Sequence, residues 1–437
     1  MARVIRRTAA GLLVLLLTAG VPLVQASAQT SPSPPLQALV GPFFGQLASL
    51  RGLPAPGPPP PVVTRTRSEI RRYAQQELSR KYPAARLEAE RKALVAWGLI
   101  PPDFHLQSFL VSLLEEQAAA YYDPVAKVMA LADWLTPEEQ QAALLHELAH
   151  ALQDRQIALD QYLVPIAGKG DQLLARQALI EGEAVALSLE YLLRPQGLDL
   201  SQIPDLSGLR QLATAFSAAA GPVFARAPKF LQDLLLFPYI QGVAFVHRFR
   251  LRHPWAEFGR LYQDPPRSTS QILHPEKFFD RREDPLPVAL PELRAILPPT
   301  WRLVTEDELG ELSLEAVLEG TLGDAGRGLA AGWRGDRYQV WEDADGRLAL
   351  IYRVQWDGEE PAQAFARSYA RLLEKKHAGL AGTALKGPGS RWSWRDGRHA
   401  FAVEQRGPEV LILERVPADR VEPLRRALGT SSALPAR

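Results

Sequence analysis

Over residues 64–98, apolar side chains (Ile70, Tyr73, Leu78, Leu87, Leu94, Trp97) recur at helical spacing among Arg and Glu, with a break at Pro83. Residues 106–118 carry a second helical pattern. The period then changes. Residues 119–122 (Ala-Ala-Tyr-Tyr) read as a strand, Asp123-Pro124 as a turn, and 125–131, with Val128 and Leu131 apolar, as the returning strand. Thr136-Pro137-Glu138-Glu139 is a helix start. Thr136 caps, Pro137 suits the first helical position, and Glu139 completes a capping box, so a helix is predicted to about residue 157. Another helix is predicted over 171–193, stopping at Pro195. Residues 195–300 look mainly helical, with breaks at Pro222, Pro228, Pro238, Pro254 and Pro265-Pro266.

The Pro-rich stretch 285–299 marks a boundary, after which apolar and polar residues alternate again. Residues 338–341 and 348–352 read as strands flanking the turn Asp345-Gly346. A helix over 361–375, strands over 399–405 and 410–415, and a final helix over 418–428 complete the pattern. The expected fold class is α+β: a mainly helical domain over 64–298 with a small sheet-edge hairpin, then a smaller antiparallel α+β domain over 299–437. No internal repeat is visible.

The N-terminus adds an address. Arg3, Arg6 and Arg7, an apolar stretch from Ala9 to about Leu17, and Ala26-Ser27-Ala28 together read as a signal peptide over 1–28, cleaved before Gln29. Residues 29–63, rich in Pro and ending in Pro58-Pro59-Pro60-Pro61, read as an extended tether. The mature chain is therefore expected to be exported, periplasmic or extracellular. No later segment holds about 18 uninterrupted apolar residues, so no stable membrane insertion is expected after cleavage.

Composition narrows the chemistry. With 50 Lys+Arg against 49 Asp+Glu, the net charge of +1 argues against a nucleic-acid partner. Cysteine is absent, which excludes disulfides, Cys-ligated zinc, Fe–S clusters and a cysteine nucleophile. A metal site must use His, Asp and Glu. Asn is also absent, Met occurs only at Met1 and Met129, and there are 37 Pro. Hot surroundings and a GC-rich genome explain that usage equally well.

His146-Glu147-Leu148-Ala149-His150 lies ten residues into the capped helix. In this H-E-x-x-H pattern, a spacing of four sets both imidazoles on one face, one turn apart, where they can share a Zn²⁺ ion. Glu147 borders that face and reaches a water rather than the metal, as the general base of a hydrolysis. A catalytic zinc site needs a third protein ligand. Glu181, on the next long helix, is the preferred candidate and Glu183 the rival. The two lie about 200° apart around that helix, so they cannot both face one ion. Gly182 between them suggests close packing against the motif helix. Asp154, one turn beyond His150, is a candidate to orient that imidazole or a solvated helix-end acid.

The spacing from His146–His150 to Glu181, 31 residues on in an E-G-x-A setting, resembles the gluzincin zinc metallopeptidases. More narrowly, residues 99–103 (Leu-Ile-Pro-Pro-Asp), 121–124 (Tyr-Tyr-Asp-Pro), 146–154 (HELAHALQD), 180–184 (IEGEA), 266–275 and 332–338 resemble a group of bacterial exported gluzincin-like proteins. The resemblance implies a zincin-like fold for the helical domain. It implies His146, His150 and Glu181 as zinc ligands and Glu147 as catalytic base. It also implies a sheet edge near the motif helix that takes an extended peptide or protein substrate by strand addition. Related enzymes use a downstream His or Tyr as oxyanion donor, which makes His274 and Tyr239 the candidates here.

The expected function is peptide-bond hydrolysis by a zinc-activated water. The alternatives are a catalytically inactive scaffold of the same fold that binds a protein or cell-envelope partner, and a hydrolase of non-peptide amides. Retention of Glu147 beside the ligands favours an enzyme. The aromatics of the C-terminal unit (Trp333, Tyr338, Trp341, Trp356, Trp392, Trp394) are expected in its core more than on a binding face.

Overall fold

A computed structural model describes residues 36–53, 56–117, 120–204, 221–380, 385–387 and 391–429. The expected signal peptide lies outside these residues. The expected tether does not survive intact. Leu36–Arg51 is a 16-residue helix, and Val40, Phe44, Leu47 and Ala48 are buried along one side of it. Apolar residues at helical spacing outweigh Pro42, which the helix absorbs in its second turn. This helix packs on the motif helix and on the one that carries Glu181.

The expected α+β class holds, with a helical N-terminal part and a C-terminal sheet. Helices Arg67–Lys81, Ala84–Trp97 and Leu106–Gln117 lead into strands β2 (Ala120–Asp123) and β3 (Val128–Ala132). Strand β1 (Val62–Arg65, Val-Val-Thr-Arg), expected as the end of the tether and the start of a helix, pairs in parallel with β3. The order β1-β3-β2 leaves β2 as an edge. The motif helix is Pro137–Gln156, closed by the expected capping box: Thr136 N–H donates to Glu139 Oε2 at 2.8 Å, and Glu139 N–H to the Thr136 hydroxyl at 3.3 Å. Helix Gly170–Leu193 crosses it. Pro238, expected as a break, lies inside the 22-residue helix Lys229–Arg250.

Seven strands form the C-terminal sheet: β4 (Arg302–Asp307), β5 (Trp333–Glu342), β6 (Leu348–Trp356), β7 (Leu385–Gly387), β8 (Arg391–Asp396), β9 (His399–Arg406) and β10 (Glu409–Pro417). Their order is β4-β5-β6-β10-β9-β8-β7, antiparallel throughout. One face carries Trp341, Ile351 and Leu413 against helix Val421–Gly429. The other shares a core with the helical part. There the Trp97 indole meets Tyr338 and Tyr352 edge-on, with ring centroids 5.4 and 4.8 Å away. Among the described residues, no helix is long and apolar enough to cross a membrane.

Candidate metal centre

From Ala143 to Gln153 every residue of the motif helix is buried, so the polar groups in this stretch must find partners inside the protein. The two imidazoles project from the same face, one turn apart, and their Nε2 atoms stand 3.1 Å apart. Helix Gly170–Leu193 brings Glu181 Oε2 to 3.3 Å from His146 Nε2 and 3.5 Å from His150 Nε2. His146, Glu147 and His150 also bring ligand atoms within 4.8 Å of one another.

These residues fit a zinc ion. A tetrahedral centre with bonds of about 2.0–2.2 Å sets its ligand atoms about 3.3–3.5 Å apart. The triangle here has sides of 3.1, 3.3 and 3.5 Å. Among the described residues, neither buried oxygen of Glu181 accepts a hydrogen bond. A buried carboxylate in that position needs a cation. In the metal-free protein a proton on His150 takes the place of that cation. Burial opposes charge on every group, yet the His150 imidazolium and His146 hold the Glu181 carboxyl below its usual value. Against the same burial, Glu181 pushes His150 up to about 9, whereas burial pushes His146 down.

The expected roles divide as follows. Glu147 sits beside the two imidazoles, and its Oε2 accepts the Tyr122 backbone N–H of β2 at 2.8 Å. Glu183 does not reach the imidazoles. It is paired with Arg51 (Nε to Oε1, 2.5 Å) and accepts the Tyr262 hydroxyl on Oε2. Asp154 does not orient His150 either. It accepts from the Tyr122 hydroxyl at 2.8 Å, Lys127 Nζ at 2.5 Å and the Leu159 N–H at 3.1 Å, so it ties the β2–β3 turn to the end of the motif helix.

Tyr239 is brought to the site. Its ring centroid is 6.1 Å from that of His146. Burial, reinforced by the carboxylates of Glu181 and Glu147, pushes its phenol well above the ordinary value and keeps it protonated. The route that delivers it corrects an expectation. Gly182 packs against Gly242 of helix Lys229–Arg250 and not against the motif helix. A Cβ on Gly182 would stand 2.2 Å from the Gly242 carbonyl carbon, and one on Gly242 would stand 2.2 Å from Ala178 O. His274 is engaged elsewhere, where its Nε2 meets Glu311 Oε1 at 2.6 Å on the following helix, Gly310–Leu322.

A cavity of about 270 Å³ opens onto His150. Ile70, Ala74, Leu114, Tyr121, Leu163 and Ile180 supply apolar wall, with Glu77, Arg80 and Lys81 at a polar end. Exposed Val164 is part of its lining, and exposed Val125 and Ile166 adjoin its lining residues Pro124 and Pro165.

Sequence reasoning missed Gln153, Arg51 and Tyr262. Gln153 was within reach of a spacing rule, since side chains three apart on a helix meet. Arg51 and Tyr262 lie 132 and 79 residues from Glu183, and nothing local marks them. No curated protein and no solved structure matches the chain. Residues 301–425, which hold the C-terminal sheet but none of the metal-site cluster, match a family described as a domain of unknown function (DUF8575).

Proposed function

We propose that this chain is an exported zinc metallopeptidase of the gluzincin type. The observation that supports it best is the triangle of His146, His150 and Glu181, with sides of 3.1, 3.3 and 3.5 Å, flanked by the Glu147 carboxylate. The two imidazoles and Glu181 would hold the ion. Bound there, zinc would act as a Lewis acid and bring the pKa of a water towards about 7.

Glu147 takes a proton from the attacking water and passes it to the leaving nitrogen. The Tyr122 N–H, 2.8 Å from Oε2, aims that carboxylate. Tyr239, protonated and beside His146, donates to the carbonyl oxygen as it gains charge. The apolar wall next to His150 takes a large apolar side chain beside the bond to be cut. Edge strand β2 runs along the same cavity through Tyr121, Tyr122 and Asp123.

The test compares the purified wild type with Glu147→Gln on a peptide library. The expected result is cleavage by the wild type and none by the variant, with zinc content unchanged. A wild type that holds zinc yet cuts no peptide would favour the scaffold alternative.

A further inference from the structure

The motif helix carries one polar side chain on its ligand face that the mechanism does not use. Gln153 is fully buried, three residues after His150. Its Nε2 donates to Ile180 O at 2.8 Å and to Glu183 Oε2 at 2.9 Å. Both partners are acceptors only, so the amide nitrogen must face them. The amide oxygen is then left facing His150 Nδ1, at 2.8 Å. An acceptor at Nδ1 requires the Nδ1–H form and leaves the Nε2 lone pair for the triangle.

Glu183 is itself fixed. Its Oε2 lies between the Tyr262 hydroxyl and Gln153 Nε2, and its Oε1 is bonded to Arg51 Nε at 2.5 Å. The Arg51 guanidinium is only 1 % exposed. It also donates to Trp255 O at 2.6 Å and to Gln156 Oε1 at 3.2 Å. The other imidazole has no equivalent support, because His146 Nδ1 lacks a hydrogen-bond partner among the described residues.

We propose that Gln153 is the positioning residue of the metal centre: it sets the tautomer and ring orientation of His150, and the Arg51–Glu183 pair holds it in that role. The N-terminal helix Leu36–Arg51 thereby becomes part of the metal site. This rests on the metal-centre assignment above, which is why the test reads metal affinity and not turnover.

Zinc affinity is measured by competition with a chromophoric chelator, and thermal unfolding of each metal-free protein is followed in parallel. Gln153→Leu is expected to weaken zinc binding about 10–100-fold, as loss of a partner behind a ligating imidazole does elsewhere. Gln153→Glu alone opposes two carboxylates, and Glu183→Gln alone leaves Arg51 without its counter-charge, so each weakens binding. The double variant Gln153→Glu/Glu183→Gln restores one acceptor toward His150 and one donor–acceptor contact between the two side chains. Its affinity is expected to return to within a few-fold of wild type, a recovery that a bulk packing role does not produce. Equal affinity in Gln153→Leu and wild type overturns the proposal. If Gln153→Leu does not fold, a double variant no tighter than the weaker single variant overturns it. A wild type that binds no zinc removes the metal centre, and this proposal with it.

Discussion

The backbone N–H of Tyr122 donates to Glu147 Oε2 across 2.8 Å, so the backbone of an edge strand aims the candidate base. The same residue anchors the strand through its hydroxyl, 2.8 Å from Asp154 Oδ2. Tyr122→Phe removes the anchor and leaves the backbone contact in place. The expected loss is about 1 kcal/mol of folding stability, the usual net value of one such bond. Zinc content should be unchanged and the rate of peptide hydrolysis lowered, as denaturant titration, metal analysis and a cleavage assay on the same preparations will show.

Gly242 and Gly182 let two helices touch through their backbones, which sets Tyr239 against His146. A Cβ on Gly242 would lie 2.2 Å from Ala178 O. Gly242→Ala should therefore destabilise the fold by about 1–3 kcal/mol, as overpacking does. Gly320, exposed in helix Gly310–Leu322 with nothing within 4 Å of an added Cβ, is the control. There Gly320→Ala should stabilise by up to about 1 kcal/mol through helix propensity. Chemical denaturation of both variants gives the two signs.

The cavity at His150 is walled in part by Ala74, on helix Arg67–Lys81. Ala74→Trp should fill it. Wild type is expected to favour peptides with Leu or Phe next to the cleaved bond, and the variant to lose that preference while zinc content stays the same. Mass spectrometry of the products from a peptide library reads both. A preference left intact by the variant would place substrate recognition elsewhere.

Acid stability has a named source. Burial alone would raise the Glu414 carboxyl, but Lys376 Nζ at 2.8 Å and His377 Nε2 at 3.3 Å hold it down at about 2. A carboxyl whose folded value lies below the unfolded value of about 4.3 stabilises the fold fully above that value. The contribution disappears as pH falls through about 2. Unfolding free energy of wild type should therefore drop between about pH 4.5 and 2, and Glu414→Gln should flatten that slope by about 2–3 kcal/mol in total. Lys376 also donates to Ala96 O at 2.5 Å, so the same group joins the C-terminal sheet to the helical part.

Much of this architecture was legible wherever local chemistry decides structure. Thr136, Pro137 and Glu139 announced the motif helix, and the His146–His150 spacing announced that both imidazoles share one face. Asp345-Gly346 announced the turn between β5 and β6. Elements decided by distant partners were not legible. Val62–Arg65 becomes a strand because β3 lies beside it, and Leu36–Arg51 is ordered because its apolar side has a core to enter. Gly182 announced a close approach but not toward which helix. The contrast between Glu181 and Glu183 was readable as two faces of one helix, yet the partner of the second, Arg51, lies 132 residues away.

Metal analysis of the purified wild-type chain beside His146→Ala and Glu181→Ala tests the centre most directly. One zinc per wild-type chain, with none held by His146→Ala and weakened retention in Glu181→Ala, is the predicted result. A wild type that takes up no divalent ion, or a His146→Ala protein that keeps one zinc with wild-type affinity, would contradict it.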